Sequence, residues 1–169
     1  MIAKRKWLLL FSMALLFSCQ AKKDKEAGSA QLPRIRPAGL TVFYQYHGDM
    51  VYDIDNISFT RDSCVYDHKG DDGMQHKAFT LSETEWGELY AIFTTGHLDQ
   101  IKTESHGQVS DRGGVVIVLS WDNELHQVTV NDSGEFFVED KSQSDWQHIC
   151  EQLIALVKRK TGLAINGAQ

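Results

Sequence analysis

The sequence predicts an α+β domain: an antiparallel β-meander with two amphipathic helices packed on one face. Three observations predict it. Short runs rich in β-branched and aromatic residues recur between turn signals made of Gly, Asn and Asp. Two longer stretches repeat apolar residues at i, i+3, i+4 and i+7, the period of a helix with one buried face. Strands that follow one another through short turns pair antiparallel, and helices beside such a sheet bury their apolar stripes against it.

Residues 40–46 (LTVFYQY) form the first predicted strand, closed by the turn signal His47-Gly48-Asp49. Residues 50–60 form the second, with Val51, Ile54, Ile57 and Phe59 as its apolar positions, and residues 64–66 a short third. The run 67–73 (DHKGDDG) reads as an acidic loop, after which residues 76–81 return as a strand. Ser82 with Glu85 three residues on is a capping box, which satisfies amides left free at a helix start. Trp86, Leu89, Tyr90 and Phe93 then share one helical face, and Gly96 suits the residue just past the end.

After an irregular stretch, residues 114–121 (GVVIVLSW) carry the strongest strand signal, and their unbroken apolar run predicts a central position covered on both faces. Asp122-Asn123 turns the chain into residues 124–130, where Leu125, Val128 and Val130 are the apolar positions. Residues 131–134 turn it again, and residues 136–138 form a further strand. Ser144 with Gln147 reads as a second capping box. The closing helix presents Trp146, Ile149, Cys150, Leu153, Leu156 and Val157 on one face, carries Lys158, Arg159 and Lys160 at its negative dipole end, and stops at Gly162.

Charge separates the chain into parts. In residues 40–169 nine basic side chains face 21 acidic ones, a net charge of −12, whereas residues 20–39 carry five basic and two acidic groups, or +3. A domain this acidic repels phosphate backbones, so nucleic-acid binding is not expected. Residues 40–169 have the size of one domain and bury enough surface to fold without a metal or a disulfide.

The first eighteen residues are predicted to leave the mature protein. Lys4, Arg5 and Lys6 precede an apolar run from Trp7 to Phe17, too short to span a bilayer and suited to a cleaved signal. Leu16-Phe17-Ser18-Cys19 resembles the lipobox of bacterial lipoproteins, with Phe17 departing from the usual small residue. The resemblance implies that Cys19 is diacylated on sulfur and acylated on its new amino group, a multi-chain anchor that holds stably in a lipid bilayer. It divides the chain into a signal peptide (1–18), a lipidated Cys19 with a solvated, flexible basic tether (19–39) and the acidic domain (40–169). Gln20 is not the Asp that resembles an inner-membrane retention signal in enterobacteria, which favours an outer-membrane lipoprotein facing the periplasm. Lys22-Lys23-Asp24-Lys25-Glu26 resembles the charged export tags of some Bacteroidetes lipoproteins, which implies the cell surface instead.

Two cysteines remain in the domain, and both a Cys64–Cys150 disulfide and two separate buried thiols stay open. Residues 68–79 do not satisfy the EF-hand ligand spacing. None of the seven histidines lies i, i+4 from another on a predicted helix; His68 and His76 flank one loop, His97 and His106 another. His148 and Cys150 point to different helix faces and make no nucleophile–base pair. There is no GxSxG, SxxK or phosphate-binding glycine loop, and Asp111-Arg112-Gly113-Gly114 leads into a strand. No catalytic residue, metal ligand or cofactor is therefore assigned. Neighbouring aromatics in a strand cannot all face the core, so Tyr44 or Tyr46, and one of Phe136 and Phe137, are expected as exposed partner-binding anchors.

The order of FTLSETEWGELY, GGVVIVLSWDNELHQVTVND and the closing helix resembles emfourin-type inhibitors of thermolysin-like metalloproteases in hydrophobic pattern over residues 40–160, without their Gly-Gly in the first hairpin. That resemblance implies protease inhibition and carries over no inhibitory residue. The expected function is a membrane-anchored, non-enzymatic protein-binding domain with an envelope or extracellular protein as partner. The alternatives are a metal- or small-ligand-binding protein or enzyme using the His and acidic loops, and an accessory subunit of an envelope assembly.

Overall fold

The computed structural model describes residues 30–48, 53–71, 73–107, 109, 112–163 and 165. The predicted signal peptide and Cys19 lie outside the described residues. Among the described residues eight strands and two α-helices follow in the order β1 (Thr41–His47), β2 (Ile54–Phe59), β3 (Cys64–Gly70), β4 (Gly73–Phe79), α1 (Glu83–Thr95), β5 (Thr103–Ser105), β6 (Gly114–Trp121), β7 (His126–Ser133), β8 (Phe136–Val138) and α2 (Gln143–Thr161). Six strands form one antiparallel sheet in the order β4-β3-β2-β1-β6-β7, and β5 pairs with β8 in a second, two-stranded sheet. The fold is α+β. Among the described residues no helix is long and apolar enough to cross a membrane.

Strand alternation sorts the large sheet into two unlike faces. On the inner face the register sets side chains in rows across the strands: Cys64, Phe59, Val42, Leu119 and Val128 in one, then Tyr66, Ile57, Tyr44, Ile117 and Val130, all of them buried. Both helices pack over these rows, α1 through Trp86, Leu89, Tyr90 and Phe93, α2 through Trp146, Ile149, Cys150, Leu153, Leu156 and Val157. Gly96, at the end of α1, lets the helices approach: a Cβ there would sit 2.4 Å from Ile149 Cγ1. On the outer face every described side chain is exposed or half-buried. This corrects the double coverage predicted for residues 114–121. β6 lies inside the sheet, between β1 and β7, but its Val116 and Val118 face outward and only Val115, Ile117, Leu119 and Trp121 are buried.

Other boundaries move for local reasons. The acidic run after Tyr66 is strand, with only its tip turning: His68 points inward, and Asp67 points outward to bond His76 across the hairpin at 2.6 Å. Leu125 sits in the turn before β7, 81 % exposed, because the three residues ahead of it take left-handed backbone angles that close the hairpin. β7 runs on through Ser133, so the turn into β8 begins at Gly134. The capping box at Ser82 forms, with Glu85 accepting from the Ser82 amide at 2.8 Å. The second one does not. A 3-10 turn at Asp140–Ser142 leads into α2, the Ser142 amide bonds Glu139 O at 2.8 Å, and Ser144 lies exposed inside the first turn.

Of the stretch 19–39 expected as tether, residues 19–29 lie outside the described residues, and residues 30–39 touch the domain. From Ala30 onward the chain is a strap docked on the domain. Ala30 N bonds Gln127 O at 3.1 Å on the free edge of β7, Leu32 packs against the core while its amide donates to Asp99 at 3.0 Å, and the Tyr90 hydroxyl donates to Pro33 O at 2.6 Å. Arg36 pairs with Glu83 and lies over the Trp86 ring. At the opposite sheet edge, β4 carries Lys77 on the inner side, opposite Tyr66 and exposed, a charge that discourages further strand pairing.

Two predictions follow from local geometry. Gly114 has φ +146°, and a Cβ there would lie 1.9 Å from Asp132 O. Gly114→Ala is expected to lose more than about 2 kcal/mol, read from the urea midpoint. Glu85 is held down at a pKa of about 2, first by the Ser82 amide, then by Lys160 at 2.9 Å and the Ser82 hydroxyl. Folding therefore favours its ionised form: the stabilisation is complete above the ordinary value of 4.5 and disappears as pH falls towards 2. Glu85→Gln should be less stable than the parent at neutral pH, and urea melts at stepped pH should show that gap narrowing between those limits.

Candidate functional site

On the outer face of the large sheet every described side chain is exposed or half-buried. One row across all six strands reads Ala78, Val65, Ser58, Phe43, Val118 and Thr129. The next row is polar except for Val116: it contains His76, Asp67, Asn56, Gln45 and Asn131, with Gln45 Nε2 donating to Asn56 Oδ1 at 2.8 Å. Phe43, Val118 and Val116 thus form an apolar patch at the middle of the face, bordered by amides, hydroxyls and charges. Phe43 is 37 % exposed.

The predicted aromatic anchors divide. Tyr44 faces inward and is fully buried, which corrects its assignment as a surface residue; Tyr46 is half-buried on the same side. The exposed aromatic of this strand is Phe43. Its parity was readable: Val42, Tyr44 and Tyr46 alternate in phase as the apolar set, while Phe43 shares its phase with Gln45 and His47. In the other pair, Phe136 is 37 % exposed. Phe137 is half-buried, with Arg112 over its ring 3.9 Å from the centroid and the His106 ring 4.7 Å away, tilted by 54°. Arg112 also donates to Phe136 O at 2.7 Å and to Asp132 Oδ1 at 2.6 Å, and Asp132 Oδ2 accepts from Trp146 Nε1 at 3.1 Å. Residues 112–114 thus enter β6 under the hold of Asp132, while Asp111 lies outside the described residues.

A second feature lies on the inner face, where the third row is polar except for Val115: His68, Asp55, Tyr46, Val115 and Asp132. Asp55 is completely buried. Its Oδ1 accepts from the Tyr66 hydroxyl at 2.7 Å and lies 2.8 Å from His68 Nδ1, while Asp53 Oδ1 lies 3.4 Å from the same ring nitrogen. With the carboxylate accepting, Nδ1 carries the proton. Two carboxylates thus converge on one imidazole, and the buried Asp55 carboxylate keeps hydrogen-bond partners inside the sheet. Gly70 makes room here, since a Cβ would come within 2.8 Å of His68 Nε2. The neighbouring Tyr44 hydroxyl is buried without a hydrogen-bond partner among the described residues, and burial, followed by the charges of Cys150, Asp55 and Tyr46, pushes its pKa far up. The cluster ties β2 to β3.

The histidines do not converge. His76 and His68 face opposite sides of the sheet, His106 pairs with Glu104 at 2.7 Å, and His97 lies 3.8 Å from Asp145. Among the described residues no three His, Cys, Asp or Glu side chains are placed to hold a metal ion. Cys64 and Cys150 are separate buried thiols rather than a disulfide, and burial raises the pKa of both, so neither is a ready nucleophile. A shallow groove of about 350 Å³ lies between the helices, floored by Ala91, Ile92, Ala155 and Leu156 and bridged by Arg159 to Glu88 at 2.6 Å. His148 lines it, while Cys150 faces the core.

Removing Asp55 takes one hydrogen-bond acceptor from each of two buried groups, the His68 ring and the Tyr66 hydroxyl. Asp55→Ala is expected to cost about 2–5 kcal/mol in urea unfolding. The Asp55→Ala/His68→Ala double variant should lose clearly less than the sum of the two singles.

No protein-family model matches this chain, and no curated protein shows significant similarity to it.

Proposed function

We propose that this chain is a lipid-anchored binding module of a bacterial cell envelope, whose outer sheet face takes a protein partner. The observation that carries the reading is the Phe43, Val116 and Val118 patch on a face that no helix covers among the described residues. An aromatic centre within a polar rim is the composition of a protein-binding hot spot. The stretch Lys4 to Cys19 supports the anchor through its basic start, short apolar run and terminal cysteine. Inhibition of a thermolysin-like metalloprotease is a special case of this reading, supported by the order of segments along the chain. An accessory role in an envelope assembly is another, with a structural protein as the partner. Outer-membrane placement follows from Gln20, and surface display would follow from the lysine-rich tether.

The test uses the acylated chain as bait in detergent-solubilised envelope, comparing the parent with Phe43→Asp. The parent should retain one stoichiometric protein. The variant should melt at the same temperature and bind that protein at least about thirtyfold more weakly, the loss of a hot-spot residue. A partner held equally by both chains would remove the outer face from the reading. A captured metalloprotease that the parent inhibits and the variant does not would select the inhibitor case.

A further inference from the structure

We propose that the docked strap is also a membrane-contact face: in the anchored protein it lies against anionic lipid headgroups and orients the domain on the bilayer. This rests on the lipid-anchor reading above. The strap is fixed to the β7 edge at Ala30, so only residues 20–29 separate the domain from Cys19. Ten residues reach at most about 36 Å, against about 70 Å for a tether running to residue 39. The strap is therefore kept near the bilayer by chain length alone.

Charge then selects which surface approaches. The domain from residue 40 onward carries −12 and is repelled by a negative membrane. The strap is the exception. Arg34 is exposed and has no ion-pair partner among the described residues, and Ile35 beside it is 83 % exposed. Two acids of the domain are held by the strap itself: Glu83 by Arg36, Asp99 by the Leu32 amide. Arg36 holds the strap down, which leaves Arg34 for a headgroup and Ile35 for the acyl boundary. Lys22, Lys23 and Lys25 extend the same basic sign towards the anchor. Screening confines these forces to about 8 Å, so only the surface beside the leash contributes attraction.

The experiment places a fluorophore on the acylated full chain at Ile35→Cys or at Met74→Cys, sites 83 % and 84 % exposed. Met74 shares a sheet row with His47, at the end of β1 about 20 Å from Thr41, whereas Ile35 lies in the strap that enters β1 at Thr41. Cys64 and Cys150 are buried and stay unlabelled. The proteins are bound to phosphatidylcholine vesicles with or without one-third phosphatidylglycerol, and quenching by headgroup-labelled lipid is read. The Ile35 probe should be quenched several-fold more than the Met74 probe, with the difference largest on anionic vesicles and abolished by Arg34→Glu. Equal quenching of both probes on floating vesicles overturns the orientation and leaves the anchor standing. A difference indifferent to lipid charge and to Arg34→Glu overturns the headgroup contact. A chain that does not float with vesicles overturns the anchor reading and this inference with it.

Discussion

The structure depends on one constraint: a twofold side-chain period lets the large sheet bury only one of its faces completely. The rows set by the register collect Cys64, Phe59, Val42, Leu119 and Val128, then the row through Tyr44, on the same side. Both helices must then lie on that side, because their apolar stripes have nowhere else to go. The opposite face remains half-open, and its amides and hydroxyls bond one another as Gln45 and Asn56 do. A slip of one residue in any strand would exchange the two faces, so the apolar rows also specify the pairing.

The third inner row adds a different kind of specification. Apolar contacts tolerate small shifts, whereas Asp55 accepts from Tyr66 and His68 only in the observed register of β2 and β3. Buried ionic groups are often neutral or costly for net stability. Their use here is consistent with fixing a hairpin whose outer strand, β4, is exposed on both sides and contributes little to the core. At the other side of the sheet Asp132 plays the matching part, receiving Arg112 and Trp146 and so joining the entry of β6 to the first turns of α2.

Much of this was legible in the chain. The fold class, the apolar faces of both helices, the Ser82–Glu85 capping box and the stop at Gly162 follow from periodicity and local chemistry alone. What escaped was set by tertiary partners. His68 and Asp67 read as loop because their polar character hides an alternation that only Asp55 and His76 explain. The apolar run of β6 looked like a doubly covered strand because Val116 and Val118 are valines on a face left half-open. The strap was invisible since a single Leu32 without periodic neighbours gives no signal, and its partners lie far along the chain at Asp99 and Tyr90. Phe43 was a matter of phase within four residues.

Both edges of the large sheet are occupied or blunted, β7 by the Ala30 amide and β4 by its inward Lys77. For a protein free in solution this matters little. Confined to a bilayer plane by an anchor, copies would meet at high lateral concentration with their sheets held at similar heights, the arrangement most prone to growth of one sheet into the next. On the lipid-anchor reading proposed above, a lysine on one border and a borrowed amide on the other would make such copies poor templates for each other.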